Sequence, residues 1–191
     1  MLGTDSLDST LKSISALIAE LRFRLDIQFY TTPSMAGEMR KYFLANGVSL
    51  ETLNDFFSWI MVKAPDMLST KIPAIIMSEY ITSIRLRSYR GLRLLEDIIR
   101  KSIREMGTKE RNEVYTQLIH EAREKFREIM RKGIVDSPED FDVVVLAYEL
   151  KGTIVTNDEG IKKLSEKMGI IVIDPMTFIE GLKRLKLMIS Q

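Results

Sequence analysis

The sequence predicts an α/β fold in which a parallel sheet is flanked by helices and a long two-helix arm is inserted into the chain. Beyond Gly133, helical and strand patterns alternate with short connections, which is typical of a parallel, doubly wound sheet. Residues 74–131 instead keep a helical period almost throughout. The chain has 191 residues, of which 45% are hydrophobic, enough for one core with a sizeable insertion.

The N-terminal part predicts a helix, a strand and two further helices. Apolar spacing places the helices over residues 6–21, 35–44 and 49–60, and residues 26–31 have the pattern of a strand. We expect Ser34 to cap the second helix. The segment MVKAP that follows is compatible with a short strand or a loop.

The longest helical pattern predicts the arm, an αα-hairpin with helices over about 74–106 and 109–131. We assign residues 79–131 to this arm, and residues 1–78 and 132–191 to the compact domain. One apolar face is expected to pack on the partner helix as core: Leu92, Leu95, Ile99, Ile103 and Met106. At 100° per residue a narrow arc on the far side carries four arginines: Arg90, Arg93, Arg100 and Arg104.

The C-terminal third predicts the order α-β-α-β-α. Ser137 and Pro138 have the cap and first-position residues of a helix that runs to Leu150. Strands are expected over residues 153–157 and 170–174, separated by a helix that Gly169 ends. A last helix follows Pro175.

Charge is distributed unevenly along the chain. Residues 85–132 carry 14 Lys+Arg against 8 Asp+Glu, whereas the remainder carries 14 against 19. A basic segment beside an acidic remainder suits a protein that holds a polyanion with one part and metal ions with another. Long exposed helices rich in Arg and Lys would produce the same pattern. We favour RNA contact for the arginine row, because neutralising phosphates requires such a row of cations.

The composition excludes several other classes of protein. The chain has no cysteine, which rules out a disulfide framework and zinc–thiolate sites. No segment approaches the ~18 apolar residues of a membrane span, and the N-terminus lacks the pattern of a signal peptide. We therefore expect a cytoplasmic protein without a membrane partner.

Four aspartates lie where the predicted sheet would collect them. Ligands of parallel sheets bind at the carboxyl ends of strands, and the expected layout brings together there Asp136, Asp140, Asp142 and Asp158. Gathered carboxylates repel one another unless a cation lies among them, and their hard oxygens suit Mg²⁺ or Mn²⁺. Each acid also has a structural interpretation as a helix cap, a turn residue or a partner of the helix dipole.

The C-terminal third resembles the second half of a PIN domain. The resemblance rests on residues 136–175, with an acid at the start of a helix followed by a strand that ends in Thr156-Asn157-Asp158. Three further segments, TTPSMAGEMRKY, REKFREIMRKGIVDS and DVVVLAYEL, resemble the HARP family of RNA-free ribonuclease P enzymes, also known as RNA ligase partner proteins. This resemblance covers about residues 6–187.

The resemblance implies an activity, a site and partners. It implies removal of 5′ leaders from precursor tRNA by metal-activated water, without an RNA subunit. Asp136, Asp140, Asp142 and Asp158 match the family's metal-site acids. Glu38 matches the acid after the second strand, and Arg123 and Arg127 would approach the substrate phosphate. The arm would bind tRNA and build an assembly of stacked dimers.

The resemblance has one departure, and two other functions compete with it. PIN domains begin with a strand that ends in a metal-binding aspartate, but no apolar strand precedes Asp5 or Asp8, so neither receives that role. The departure favours a non-catalytic RNA-binding or assembly module. A PIN ribonuclease of the toxin or RNA-decay type is the other alternative, although the long basic arm argues against it.

Overall fold

The computed structural model describes residues 4–105 and 111–189, and the side chains of residues 7–103 and 115–188. Within these ranges the helices and strands follow in this order: α1 Thr4–Leu25, β1 Phe29–Thr31, α2 Pro33–Ala45, α3 Leu50–Ser58, β2 Ile60–Val62, α4 Ala74–Glu105, α5 Arg111–Arg131, α6 Pro138–Leu150, β3 Ile154–Val155, α7 Glu159–Lys167, β4 Val172–Ile173 and α8 Pro175–Ile189. The predicted α/β class is confirmed. None of the described helices is long and apolar enough to cross a membrane.

The chain forms two compact units. The first contains residues 1–70, 137–157 and 169–191, and the second contains residues 71–136 and 158–168. All four strands therefore belong to the first unit, whereas α4, α5 and α7 make up the second.

The strands pair in parallel, as the alternating pattern predicts. Phe29 lies opposite Ile60 in the pair of β1 and β2, and Ile154 lies opposite Val172 in the pair of β3 and β4. Among the described residues these are two separate two-stranded sheets. The segment that was compatible with a strand or a loop begins as β2, because its backbone completes the ladder with β1.

The cap of α2 differs from the prediction. Thr32, not Ser34, is the N-cap residue, and its Oγ1 accepts a hydrogen bond from the backbone N–H of Met35 at 3.3 Å. Proline suits the first helical position, since its missing N–H would have no partner there. Pro33 therefore starts the helix one residue before Ser34, and the cap has to lie at Thr32.

The core of the first unit lies between α1, α2, α3 and α8. Its fully buried side chains include Leu21 and Leu53, and Leu182 brings α8 onto the same cluster. Phe56 packs edge-to-face against Phe43 and Phe57, an arrangement that favours the ring quadrupoles. Phe29 of β1 and Ile60 of β2 pack against this core.

Helices α4 and α5 pack together as a helical hairpin, and Gly91 is the point of closest approach. The ring of Phe126 lies over the buried Gly91, where an added Cβ would come within 2.6 Å of the ring. Arg87 donates to the backbone carbonyls of Ile129 at 2.5 Å and Lys132 at 2.8 Å, so that α4 caps the end of α5.

The prediction of the apolar face of α4 is wrong. The side chains expected to face α5 are 44–68% exposed; they are Leu92, Leu95, Ile99 and Ile103, here named the apolar stripe. Met106 lies outside the described residues. Helix α4 contacts α5 at Gly91, and the apolar stripe is rotated from Gly91 by about 40–120° around the axis of α4. The stripe therefore lies to one side of the contact between the two helices.

Helix α7 packs against the segment that leaves the helical hairpin. Its Gly160 is buried against the backbone carbonyl of Ile134, and a Cβ would overlap that carbonyl. Lys167 at its end forms an ion pair with Glu79 of α4. The glycine therefore permits the close approach of α7 to residues 134–135.

Replacing Gly160 should destabilise the protein although alanine is the better helix former. We expect Gly160→Ala to lower the free energy of unfolding by roughly 1–3 kcal/mol, the usual cost of overpacking, because the Ile134 carbonyl belongs to the backbone. Denaturant unfolding measures the change. Gly181→Ala is the control: nothing lies within 4 Å of its Cβ position, and it should stabilise α8 by roughly 0.5–1 kcal/mol. Equal effects of the two substitutions would contradict this account.

The helical hairpin should weaken in acid through Glu121. Its carboxylate accepts hydrogen bonds from Lys101 of α4 and Lys125 of α5. These bonds lower the pKa of Glu121 from 4.5 to about 2. A carboxylate whose pKa is lower in the folded state than in the unfolded state stabilises the folded protein at pH values above its unfolded pKa. That contribution is lost as the pH falls through the folded pKa. The stability difference between the wild type and Glu121→Gln should therefore shrink from pH 4.5 towards pH 2. Glu124→Gln is the control for the loss of one negative charge from α5, since Glu124 pairs with Arg127 of the same helix.

Candidate functional site

The start of α6 is fixed by a reciprocal pair of hydrogen bonds. The Ser137 hydroxyl accepts from the backbone N–H of Asp140 at 3.1 Å and donates to the Oδ2 atom of Asp140 at 2.8 Å. Pro138 occupies the first helical position. Asp140 is half-buried, and this part of its role is structural, since it anchors the cap of α6.

Asp142 differs from Asp140 in having no such role. Two residues turn a helix by about 200°, so the two carboxylates project towards different sides of α6. Asp142 is half-buried, and no described residue donates a hydrogen bond to it or forms an ion pair with it. A half-buried carboxylate without a cation is unfavourable unless it serves another purpose.

The other two predicted aspartates belong to the second unit. Asp136 is exposed and forms an ion pair with Arg131, whose Nε lies 2.6 Å from Oδ2. Asp158 is the N-cap of α7 and accepts from the backbone N–H of Ile161 at 2.8 Å. Both carboxylates are therefore already engaged in local interactions.

Glu38 lies in the first unit, on the exposed surface of α2. Across the described residues no three acidic or histidine side chains converge closely enough to hold a metal ion together. The metal site shared by Asp136, Asp140, Asp142 and Asp158 therefore stays a prediction. The donor chemistry fits a hard divalent cation, because Asp142 offers carboxylate oxygens that no described residue uses.

The predicted arginines differ in how they are engaged. Arg123 and Arg127 are exposed on α5, and Arg127 pairs with Glu124 at 2.6 Å. Arg93 and Arg100 are exposed on α4. The side chain of Arg104 lies outside the described residues. The substrate contacts assigned to these arginines stay predictions, but their exposure is what a polyanion would require.

Sequence reasoning missed a basic cavity in the helical hairpin. It is an open hollow of about 390 Å³, lined by Arg87, Arg90, Leu94, Lys125, Glu128, Ile129 and Lys132. The residues from α5 and the position just after it follow the spacing of one helical face: Lys125, Glu128, Ile129 and Lys132. That spacing could have revealed the α5 wall, whereas the wall from α4 depends on which side of that helix contacts α5.

Comparison with known proteins supports the resemblance read from the motifs. A family model described as a PINc domain ribonuclease matches residues 1–186. An RNA-free ribonuclease P of Staphylothermus marinus is 40% identical over 187 residues, which are 94% of this chain and 85% of the relative. A protein of the same name from Hyperthermus butylicus is 36% identical, over 97% of this chain and 81% of its own length.

A third relative extends the similarity to another organism. The RNA-free ribonuclease P of Archaeoglobus fulgidus is 35% identical over 99% of this chain and 86% of its own length. The family model and these relatives all cover most of the chain, including the helical hairpin. The chain therefore belongs to the PINc domain ribonucleases, a family of RNA-cleaving enzymes.

Proposed function

We propose that this ribonuclease is an endonuclease that removes the 5′ leader from precursor tRNA without an RNA subunit. The relatives that share 31–40% identity over most of their length are named RNA-free ribonuclease P. The observation that carries the proposal within this chain is Asp142, a half-buried carboxylate without a described partner at the start of α6. The substrate class follows from the relatives, and the catalytic role follows from the carboxylate.

Divalent metal is the proposed cofactor, with Asp136, Asp140, Asp142 and Asp158 as the residues that would hold Mg²⁺ or Mn²⁺. When bound, such an ion supplies a water activated for attack on phosphorus and neutralises charge on the phosphate. Asp142 is the acid most available for this purpose, because the other three carboxylates take part in local contacts. Glu38 is a candidate for orienting the water from α2.

Two of these acids also stabilise helix starts, which guides the choice of substitution. Asn caps a helix about as well as Asp does, so Asp158→Asn should keep α7 capped while removing the charge. Asp142 has no capping role, so Asp142→Asn removes only a carboxylate. The two variants therefore separate metal binding from folding.

Asp142→Asn and Asp158→Asn should each reduce cleavage of precursor tRNA by roughly 10²–10³-fold, the scale seen when one electrostatic group of an active site is removed. RNA binding should change little, since the cations of the helical hairpin are untouched. A cleavage assay on 5′-labelled precursor tRNA, with Mg²⁺ or with EDTA, measures the effect. Glu139→Gln is the matched control, because it removes a neighbouring carboxylate of α6 that has no described partner.

The products decide between this proposal and its alternatives. Metal-dependent cleavage at the mature 5′ end supports it. Cleavage elsewhere would indicate a PIN ribonuclease of the toxin or RNA-decay type. Salt-sensitive binding without cleavage would indicate a non-catalytic RNA-binding module. Retained cleavage in both aspartate variants would refute the assignment of the acids.

We further propose that the helical hairpin carries two surfaces, one for RNA and one for a second copy of the chain. The apolar stripe is 44–68% exposed in the single chain, and burial of that exposed part would stabilise an assembly by roughly 0.7–2 kcal/mol for each side chain. Arg90 precedes Gly91 and therefore lies on the opposite side of the α4–α5 contact from the apolar stripe. RNA and a second copy need not compete for the same face.

Charged residues within the apolar stripe should break the assembly. We expect Leu95→Glu combined with Ile99→Glu to shift the protein to a smaller species in size-exclusion chromatography with light scattering. Folding should be retained, because both side chains are exposed in the single chain. Leu187→Glu combined with Met188→Glu, at exposed apolar positions of α8, is the control. A control pair that dissociates the assembly while the stripe pair leaves it intact would place the interface on α8.

A further inference from the structure

The basic cavity of the helical hairpin has an unbalanced positive charge. Glu128 is the one carboxylate in its lining, and Glu121 outside the lining pairs with Lys125 at 2.7 Å. Four cationic side chains line the cavity: Arg87, Arg90, Lys125 and Lys132. The Lys132 ammonium lies 3.9 Å from the Glu128 carboxylate, so this pair is loose. Like charges brought together at one hollow raise the local positive potential, which an anion relieves.

Arg87 provides a cation whose position is fixed before any ligand arrives. Its guanidinium donates to the Ser83 hydroxyl and to two backbone carbonyls at the end of α5. These contacts use three of its five N–H groups, so two N–H groups remain. A cation held by the fold loses little side-chain freedom on binding, which favours affinity.

Arg90 is the cation free to move towards a ligand. It lies one turn from Arg87 and Leu94 on α4, and no described residue forms a hydrogen bond or an ion pair with it. Leu94 and Ile129 add an apolar lining to the same hollow. An electrostatic contact beside apolar groups is screened less by water than one on an open surface.

We infer that this cavity binds a backbone phosphate of the RNA, with Arg90 and Lys132 as direct contacts and Arg87 as the fixed cation between them. The inference rests on the proposed function for the nature of the substrate. Arg90 belongs to both this cavity and the arginine row, but Arg87 and Lys132 lie outside the row, and Arg93 and Arg100 do not line the cavity. A phosphodiester is favoured over a carboxylate ligand because two positive charges remain after Glu128 and the Glu121 carboxylate paired with Lys125 are counted.

The test counts the phosphates of the RNA that the protein contacts. Binding of labelled precursor tRNA is measured in EDTA by fluorescence anisotropy across a range of salt concentrations. Arg90→Ala combined with Lys132→Ala should flatten the slope of log affinity against log salt by roughly 0.7–0.9 for each phosphate that the variant no longer binds. Lys183→Ala combined with Arg184→Ala removes the same charge from α8 and should leave the slope unchanged.

Glu128→Gln gives a second readout with the opposite sign. Removal of the only carboxylate of the cavity should tighten RNA binding severalfold, which damage to the fold would not do. Its matched control is Glu180→Gln, because Glu180 also pairs with a cation four residues on at 3.9 Å. Tighter binding by Glu128→Gln but not by Glu180→Gln supports the inference.

Three outcomes would overturn it. The first is an unchanged salt slope in the Arg90 and Lys132 double variant. The second is binding of inorganic phosphate to the cavity at constant ionic strength without any effect on the salt slope of RNA binding. That result would assign the site to a free anion. The third is RNA binding of the wild type that does not depend on salt. The proposed function is tested separately by the cleavage assay. If the wild type cuts precursor tRNA and the Arg90 and Lys132 double variant has an unchanged salt slope, this inference alone is refuted.

Discussion

The close approach of α4 and α5 at Gly91 determines what the helical hairpin presents to its surroundings. Gly91, with the Phe126 ring above it, lets the two backbones come close together. Arg87 donates a hydrogen bond to the Ile129 carbonyl near the end of α5. Once this contact is set, every other position on α4 has a defined direction. The basic cavity and the apolar stripe lie on its two sides, so the surface proposed for RNA and the surface proposed for a second copy do not overlap.

The predicted acids illustrate a second constraint, that of the helix start. Asp140 and Asp158 satisfy backbone or hydroxyl donors at the beginnings of α6 and α7, and Asp136 neutralises Arg131. Carboxylates placed in this way are stabilised locally by N–H groups and by a cation. A metal ion therefore does not have to compensate all four charges, and Asp142 is the acid without such local compensation among the described residues.

Much of the fold was predictable because its signals are local. Ser137 and Pro138 specified the start of α6, and Gly169, with a φ of 70°, ended the α7 segment as expected. The family was recognisable from Thr156-Asn157-Asp158 and its neighbours. The cap at Thr32 was missed because Pro33 outweighs Ser34 in setting the first helical residue.

The sequence by itself determined the helices, the parallel strands, the family and the candidate acids, since each depends on periodicity or on short motifs. The tertiary structure decided which side of α4 is buried. Leu92 and Ile99 have the spacing of a core face, yet the smallest residue, Gly91, makes the contact with α5. Periodicity shows that side chains share a face, but it cannot show which face another helix covers, because that depends on how closely two backbones can approach.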